Sequence, residues 1–174
     1  ASGAQPIDVV IGFYERLNGT LHNSLMYVTL GSDGSAAIRH VHRKNFLPTY
    51  GMFDEERFVE RGYGVRAFDT SWGRAAMLVC EDAWHSLTGL IAALDGAQVV
   101  FVSSAAPARG AFVRADGESV PASAARWDRL VGDIAEAHGV CVALANLVGS
   151  GGGQMFVRKC TRRNSSHIVD KSAV

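Results

Sequence analysis

The eleven residues Ala75-Ala76-Met77-Leu78-Val79-Cys80-Glu81-Asp82-Ala83-Trp84-His85 constrain this chain more than any other stretch. Ala75 to Val79 is an apolar run with the length of a buried strand, and it stops abruptly at a thiol, two carboxylates and two rings. Ser86 to Leu94 then reads as a helix. Where a strand turns into a helix, backbone N–H groups point outward from the sheet edge. A cysteine at that corner is expected to have a lowered thiol pKa and a place beside it for a developing oxyanion. The competing reading is a buried cysteine that packs as a small hydrophobe. Residues far upstream decide between them.

Around that junction the chain alternates strands and helices. Val9 to Tyr14, Leu25 to Leu30 and Ala36 to Val41 read as a three-stranded antiparallel meander, with Asn18-Gly19 at the first turn and Gly31-Ser32-Asp33-Gly34-Ser35 at the second. His42 to Gly62 is polar, aromatic and without a period. A loop that long inside a domain is usually functional. Val65 to Asp69 and Arg74 to Val79 form a second strand pair around Ser71-Trp72-Gly73. Leu87 to Leu94 is helical in spacing, Val99 to Ser103 is an apolar strand, and Ala122 to His138 is an amphipathic helix that Gly139 ends. Val140 to Ala145 is the next strand. Strand–helix–strand–helix–strand predicts an α/β layered domain.

The chain has 17 Lys+Arg and 17 Asp+Glu residues, so its formal charge of zero gives no electrostatic case for nucleic acid or an anionic membrane. No uncharged apolar run approaches the ~20 residues of a membrane span, and the first residues lack the pattern of a signal peptide. Cys80, Cys141 and Cys160 are odd in number and lack metal-type spacing, which predicts neither a disulfide framework nor a metal site. The reducing cytoplasm is the simplest compartment.

The upstream stretch is His42-Arg43-Lys44-Asn45-Phe46-Leu47-Pro48-Thr49-Tyr50-Gly51-Met52-Phe53-Asp54-Glu55-Glu56-Arg57-Phe58. A lysine at a strand end, followed by a proline-stiffened aromatic loop, can project its ammonium into a pocket. There it can stabilise a thiolate and the oxyanion of a tetrahedral intermediate. Taken alone, Lys44 reads as a solvated surface charge.

Together, Lys44 in HRKNFLPTYGMFDEERF and Cys80 in MLVCEDAWH resemble the nitrilase, or carbon–nitrogen hydrolase, superfamily. Val102-Ser103-Ser104-Ala105-Ala106-Pro107 resembles its small-residue loop after the following strand. The similarity covers about Val9 to Gly149. It implies the superfamily's α-β-β-α sandwich, incomplete at both ends in this sequence, and association into a homodimer or higher homo-oligomer. It also implies Cys80 as the nucleophile that forms an acyl-enzyme and Lys44 as the stabiliser of the tetrahedral intermediate. Tyr50 and Phe53 match pocket-lining positions, Glu81 and Ser104 match positions near the substrate, and Glu55 matches a supporting acid. No metal or organic cofactor is implied. Glu-Asp after the cysteine, with the YGxFDE loop, is similar to the glutaminase domain of NAD synthetases, so a small-molecule carboxamide is expected as substrate; nitrile hydrolysis is the alternative.

The resemblance has a gap. The superfamily's general-base glutamate, usually in a Pro-Glu pair upstream of the lysine, has no match: only Asp8, Glu15 and Asp33 precede Lys44, and Tyr14-Glu15-Arg16 does not fit. Residues 1–149 are therefore expected to be a partial domain, and residues 150–174 a basic, irregular tail. Weak or absent activity is expected from the chain alone, with a non-catalytic scaffold as the limiting case. A papain-like site has no recognisable histidine partner among the six present.

Overall fold

The computed structural model of the protein describes residues 5–110, 112, 113, 115, 117, 119–147, 149–151, 154–156 and 159–163. Its strands and helices, in chain order, are β1 (Ile7–Leu17), β2 (Thr20–Leu30), β3 (Ala36–Arg43), β4 (Phe68–Thr70), β5 (Gly73–Val79), α1 (Ser86–Leu94), β6 (Val99–Ser104), β7 (Phe112–Val113), β8 (Ser119–Val120), α2 (Ala122–His138), β9 (Cys141–Asn146), β10 (Gly149–Gly151), β11 (Gln154–Phe156) and β12 (Lys159–Arg163). β1, β2 and β3 form the expected meander. Its first hairpin closes with Leu17 opposite Thr20, leaving Asn18 and Gly19 at positive φ (51° and 87°), the pairing a right-twisted two-residue turn requires.

The second sheet has the order β12-β9-β6-β5-β4. Its three central strands run parallel, because α1 and α2 are the crossovers between them. β5 shows why its sequence is apolar throughout rather than alternating. Ala75, Met77 and Val79 pack with Leu25 and Tyr27 of the first sheet, while Ala76 and Leu78 pack under the helices with Trp127 and Val131. A strand buried on both faces has no polar side to show. The described residues thus build three layers: helices, the parallel sheet and the meander. On the meander's far face Ile7, Ile11, Leu30 and Ile38 are exposed.

Helix α2 ends where the sequence predicts. Gly139 sits in the left-handed region (φ 65°) and donates its N–H to the Ala135 carbonyl. Gly139→Ala is expected to lose about 1 kcal/mol of stability, read as a lowered urea midpoint with unchanged slope.

Two expectations differ from the structure. Val65 to Ala67 precede β4 rather than forming part of it, although Val65 is still buried. Beyond Gly149, where the sequence shows neither period, the structure has β10 and β11 paired and β12 antiparallel to β9, with Cys160 opposite Ala145. An edge strand is held by its backbone, so it needs no apolar alternation to form. Arg158 and residues 164–174 lie outside the described residues. Among the described residues, no helix is long and apolar enough to cross a membrane.

Candidate active site

β5 delivers Cys80 to the sheet edge, but the corner is tighter than a strand-to-helix turn. Cys80 has φ 44°, the left-handed region that non-glycine residues avoid, and it opens a short 3₁₀ turn, Cys80–Trp84, ahead of α1. Strain of this kind, costing roughly 1–3 kcal/mol, persists where surrounding contacts enforce it. Ser104, at the end of neighbouring β6, donates its hydroxyl to Cys80 Sγ at 3.4 Å, and the Ala105 N–H also points at the sulfur.

Lys44 follows β3 directly and is only 2% exposed. Its ammonium donates to Glu55 Oε2 at 2.6 Å, which ties the strand end to the long loop. That loop is ordered by its own backbone: Glu55 N–H bonds to Pro48 O, and Gly62 N–H bonds to Lys44 O. Lys44 is close enough to Cys80 to act on its charge, and both line one cavity of about 740 Å³ with Phe53, Glu55, Glu81 and Ser104.

The thiol does not have the lowered pKa expected from its corner. Burial pushes it up, and this outweighs the Ser104 hydroxyl, the Lys44 ammonium and the Ala105 N–H, each of which pulls it down; Glu81 nearby pushes up again. Donor geometry is visible from sequence, whereas the depth of burial that overrides it is not.

An adjoining cavity of about 480 Å³ also reaches Cys80 and is lined by Tyr50, Phe53, Glu81, Trp84, Arg109 and Arg126, among others. Tyr50 Oη donates to Glu81 Oε2 at 2.7 Å, and burial together with that carboxylate pushes the phenol up to about 12. Trp84 and Trp127 meet edge-on at 5.0 Å, and the Arg126 guanidinium lies 5.2 Å from the Trp84 ring. The structure therefore gathers Lys44, Glu55 and Ser104 around one cavity and Tyr50 around the other, with Phe53, Cys80 and Glu81 shared by both. Sequence reasoning did not find Arg109 and Arg126, which the fold alone brings to the cavity beside Cys80.

Glu15 is elsewhere. It accepts hydrogen bonds from Arg43 and Ser24, and Arg43 alternates with Lys44 onto the opposite side of the strand.

Residues 4–168 match the carbon–nitrogen hydrolase family. The chain belongs to that family. It is 28% identical over 152 residues to the glutamine-dependent NAD(+) synthetase of Xylella fastidiosa, an alignment that covers 86% of this chain and 25% of the relative. It is 26% identical over 149 residues to the N-carbamoylputrescine amidase of Solanum lycopersicum, covering 84% and 46%. Among solved structures, a carbon–nitrogen hydrolase of Helicobacter pylori superposes with a TM-score of 0.75 at 25% identity, over 91% of this chain and 55% of that one. The chain thus spans between about a quarter and just over half the length of these relatives. The superposition agrees with the sandwich expected from the sequence.

Proposed function

We propose that this chain carries the amide-hydrolysing site of a carbon–nitrogen hydrolase, with Cys80 as nucleophile. The observation that carries the reading is Cys80 itself: a strained, left-handed corner residue whose sulfur meets Ser104, Ala105 and the field of a buried lysine at the floor of a cavity.

In this reading Cys80 Sγ attacks the carboxamide carbon, a C–S bond forms, and the carbonyl π electrons move to oxygen. The Lys44 ammonium, held by Glu55, stabilises that oxyanion. Collapse breaks the C–N bond, and the thiol proton ends on the departing ammonia. Water then attacks the thioester and returns a carboxylic acid and the free thiol. Atoms balance as amide plus water giving acid plus ammonia, and no step needs a metal or redox cofactor.

The second cavity supports a substrate that carries both charges of an amino acid. Glu81 is placed to meet an ammonium and Arg126 a carboxylate, and Tyr50 and Phe53 line the same cavity. Glutamine has this pattern and an amide at its far end, and the similarity to a glutamine-dependent synthetase points the same way. The test is ammonia release from glutamine beside propionamide, which lacks both charges. Arg126→Ala is expected to raise KM for glutamine about tenfold or more, as loss of a charge-assisted contact does, and to leave propionamide hydrolysis unchanged. Equal loss on both amides would remove the carboxylate assignment, and ammonia release that survives Cys80→Ala would remove the nucleophile.

A further inference from the structure

The proposed chemistry uses Cys80, Lys44, Glu55 and Ser104. It leaves unused a buried pair of titratable groups, Asp82 and His42. Asp82 is fully buried, and His42, 3% exposed, lies against it with Nε2 at 2.9 Å from Oδ2. A carboxylate in that position is costly unless every lone pair is satisfied, and here each oxygen has two partners. Oδ1 accepts the N–H groups of Asn45 (3.0 Å) and Phe46 (2.9 Å). Oδ2 accepts the Val79 N–H (3.0 Å) and His42 Nε2. An ionised carboxylate only accepts, so the network assigns the proton to Nε2 of His42.

The identity of those partners is what matters. His42, near the end of β3, lies two residues before Lys44, and Asn45 and Phe46 follow Lys44 directly. Val79 precedes Cys80, and Asp82 itself lies two residues after it. One carboxylate therefore brackets the lysine on both sides and the cysteine on both sides. Between them these bonds join two segments almost forty positions apart in sequence.

We propose that Asp82 and His42 are positioning residues: together they form a clamp that holds the Lys44 ammonium in register with the Cys80 sulfur. Neither touches the reacting atoms. The inference rests on the nucleophile reading above, and it predicts what happens when the clamp is opened. Lys44 moves off register, its pull on the thiol weakens, and Cys80 ionises at higher pH. The groups that bear on that thiol are Lys44, Glu81, the Ser104 hydroxyl, the Ala105 N–H and Tyr50, and Glu55, Arg109 and Arg126 line the cavities it faces. Of these, Lys44 is the one with direct neighbours on the clamp from a separate segment of chain.

The experiment is the rate of Cys80 alkylation by iodoacetamide across neutral to alkaline pH, followed by peptide mass, on the full chain. His42→Leu is expected to move the midpoint upward by about one pH unit, the size of losing a nearby opposite charge. Lys44→Met should move it the same way. The double variant should go no further than Lys44→Met alone, because the clamp acts through the lysine. His42→Gln, which keeps an N–H donor, should recover most of the difference. Asp82→Asn, of the same shape, provides a second opening of the clamp should His42→Leu fail to give the parent far-UV spectrum.

A folded His42→Leu or Asp82→Asn variant with the parent profile overturns the proposal. So does a double variant whose displacement is the sum of the two singles, since that would make the pair a structural support with no link to the lysine. A parent chain in which Cys80 is no more reactive than Cys141 overturns the nucleophile reading first, and the clamp with it; that outcome is recognisable because it is already seen without any substitution.

Discussion

Replacing Lys44 by Met is expected to lower amide turnover by about a thousandfold, the scale seen when a preorganised oxyanion partner is removed, and to move Cys80 alkylation to higher pH. Met fills nearly the same volume, so the cavity wall is kept while the charge goes. The direction of the pH effect follows from the balance at the sulfur. Burial already holds the thiol above its ordinary value, and the ammonium is one of the contributions pulling it back. Without it the thiolate becomes scarcer at any fixed neutral pH, about tenfold for each pH unit by which the alkylation midpoint rises. Glu55, one-quarter exposed, loses its partner but can rehydrate, so the fold is expected to survive. Initial rates of ammonia release and the alkylation profile check both parts. An unchanged rate would mean that the lysine is only a buried ion-pair partner.

Leu78→Ala is expected to cost about 2–5 kcal/mol of stability, the usual range for emptying a fully buried aliphatic site. Leu78 lies between β5 and the helices, in one cluster with Val100, Val102, Trp127, Val131 and Leu144, all buried in the same layer. Its strand ends just before Cys80, so the surrounding structure cannot collapse onto the cavity without moving the site. For a chain of this size the cost corresponds to a drop in Tm of roughly 5 to 15 °C, measured by thermal loss of the far-UV signal. Ile38→Ala is the control. Ile38 is 63% exposed on the meander's far face, and its loss is expected to change stability by only about a few tenths of a kcal/mol. Similar losses at both positions would contradict the two-sided burial of β5.

The parts of the fold that sequence reveals are those specified locally. Asn18-Gly19 announces a turn because few residues accept two successive positive φ values. Ala122 to Gly139 announces a helix because its apolar stripe and left-handed cap lie within one segment. The continuous apolar run Ala75 to Val79 announces a strand with both faces covered, although it does not say by what. The 3₁₀ turn from Cys80 to Trp84 is too short to have a readable period. β12 is hidden for another reason: its place at the sheet edge comes from backbone pairing with β9, which no alternation of side chains records.

The same division runs through the site. Lys44 and Cys80 stand out because each sits at a strand end in a distinctive stretch. Asp82 is as visible in the sequence as Glu81, beside which it stands, yet its role depends on N–H groups almost forty residues away. Nothing local distinguishes a carboxylate that accepts four buried hydrogen bonds from one that faces water. Arg126 is likewise undistinguished on its own helix and gains meaning only from the cavity opposite. The thiol's raised pKa belongs with these, since depth of burial is a property of the whole packed structure.

The most direct measurement is competitive labelling of the three cysteines with a substoichiometric amide-like electrophile, read by peptide mass, alongside ammonia release from glutamine. Cys80 as the nucleophile predicts label at Cys80 ahead of Cys141 and Cys160, slowed by added glutamine, and loss of both label and ammonia release in Cys80→Ala. Equal labelling of all three cysteines, or ammonia release that persists in Cys80→Ala, would contradict it.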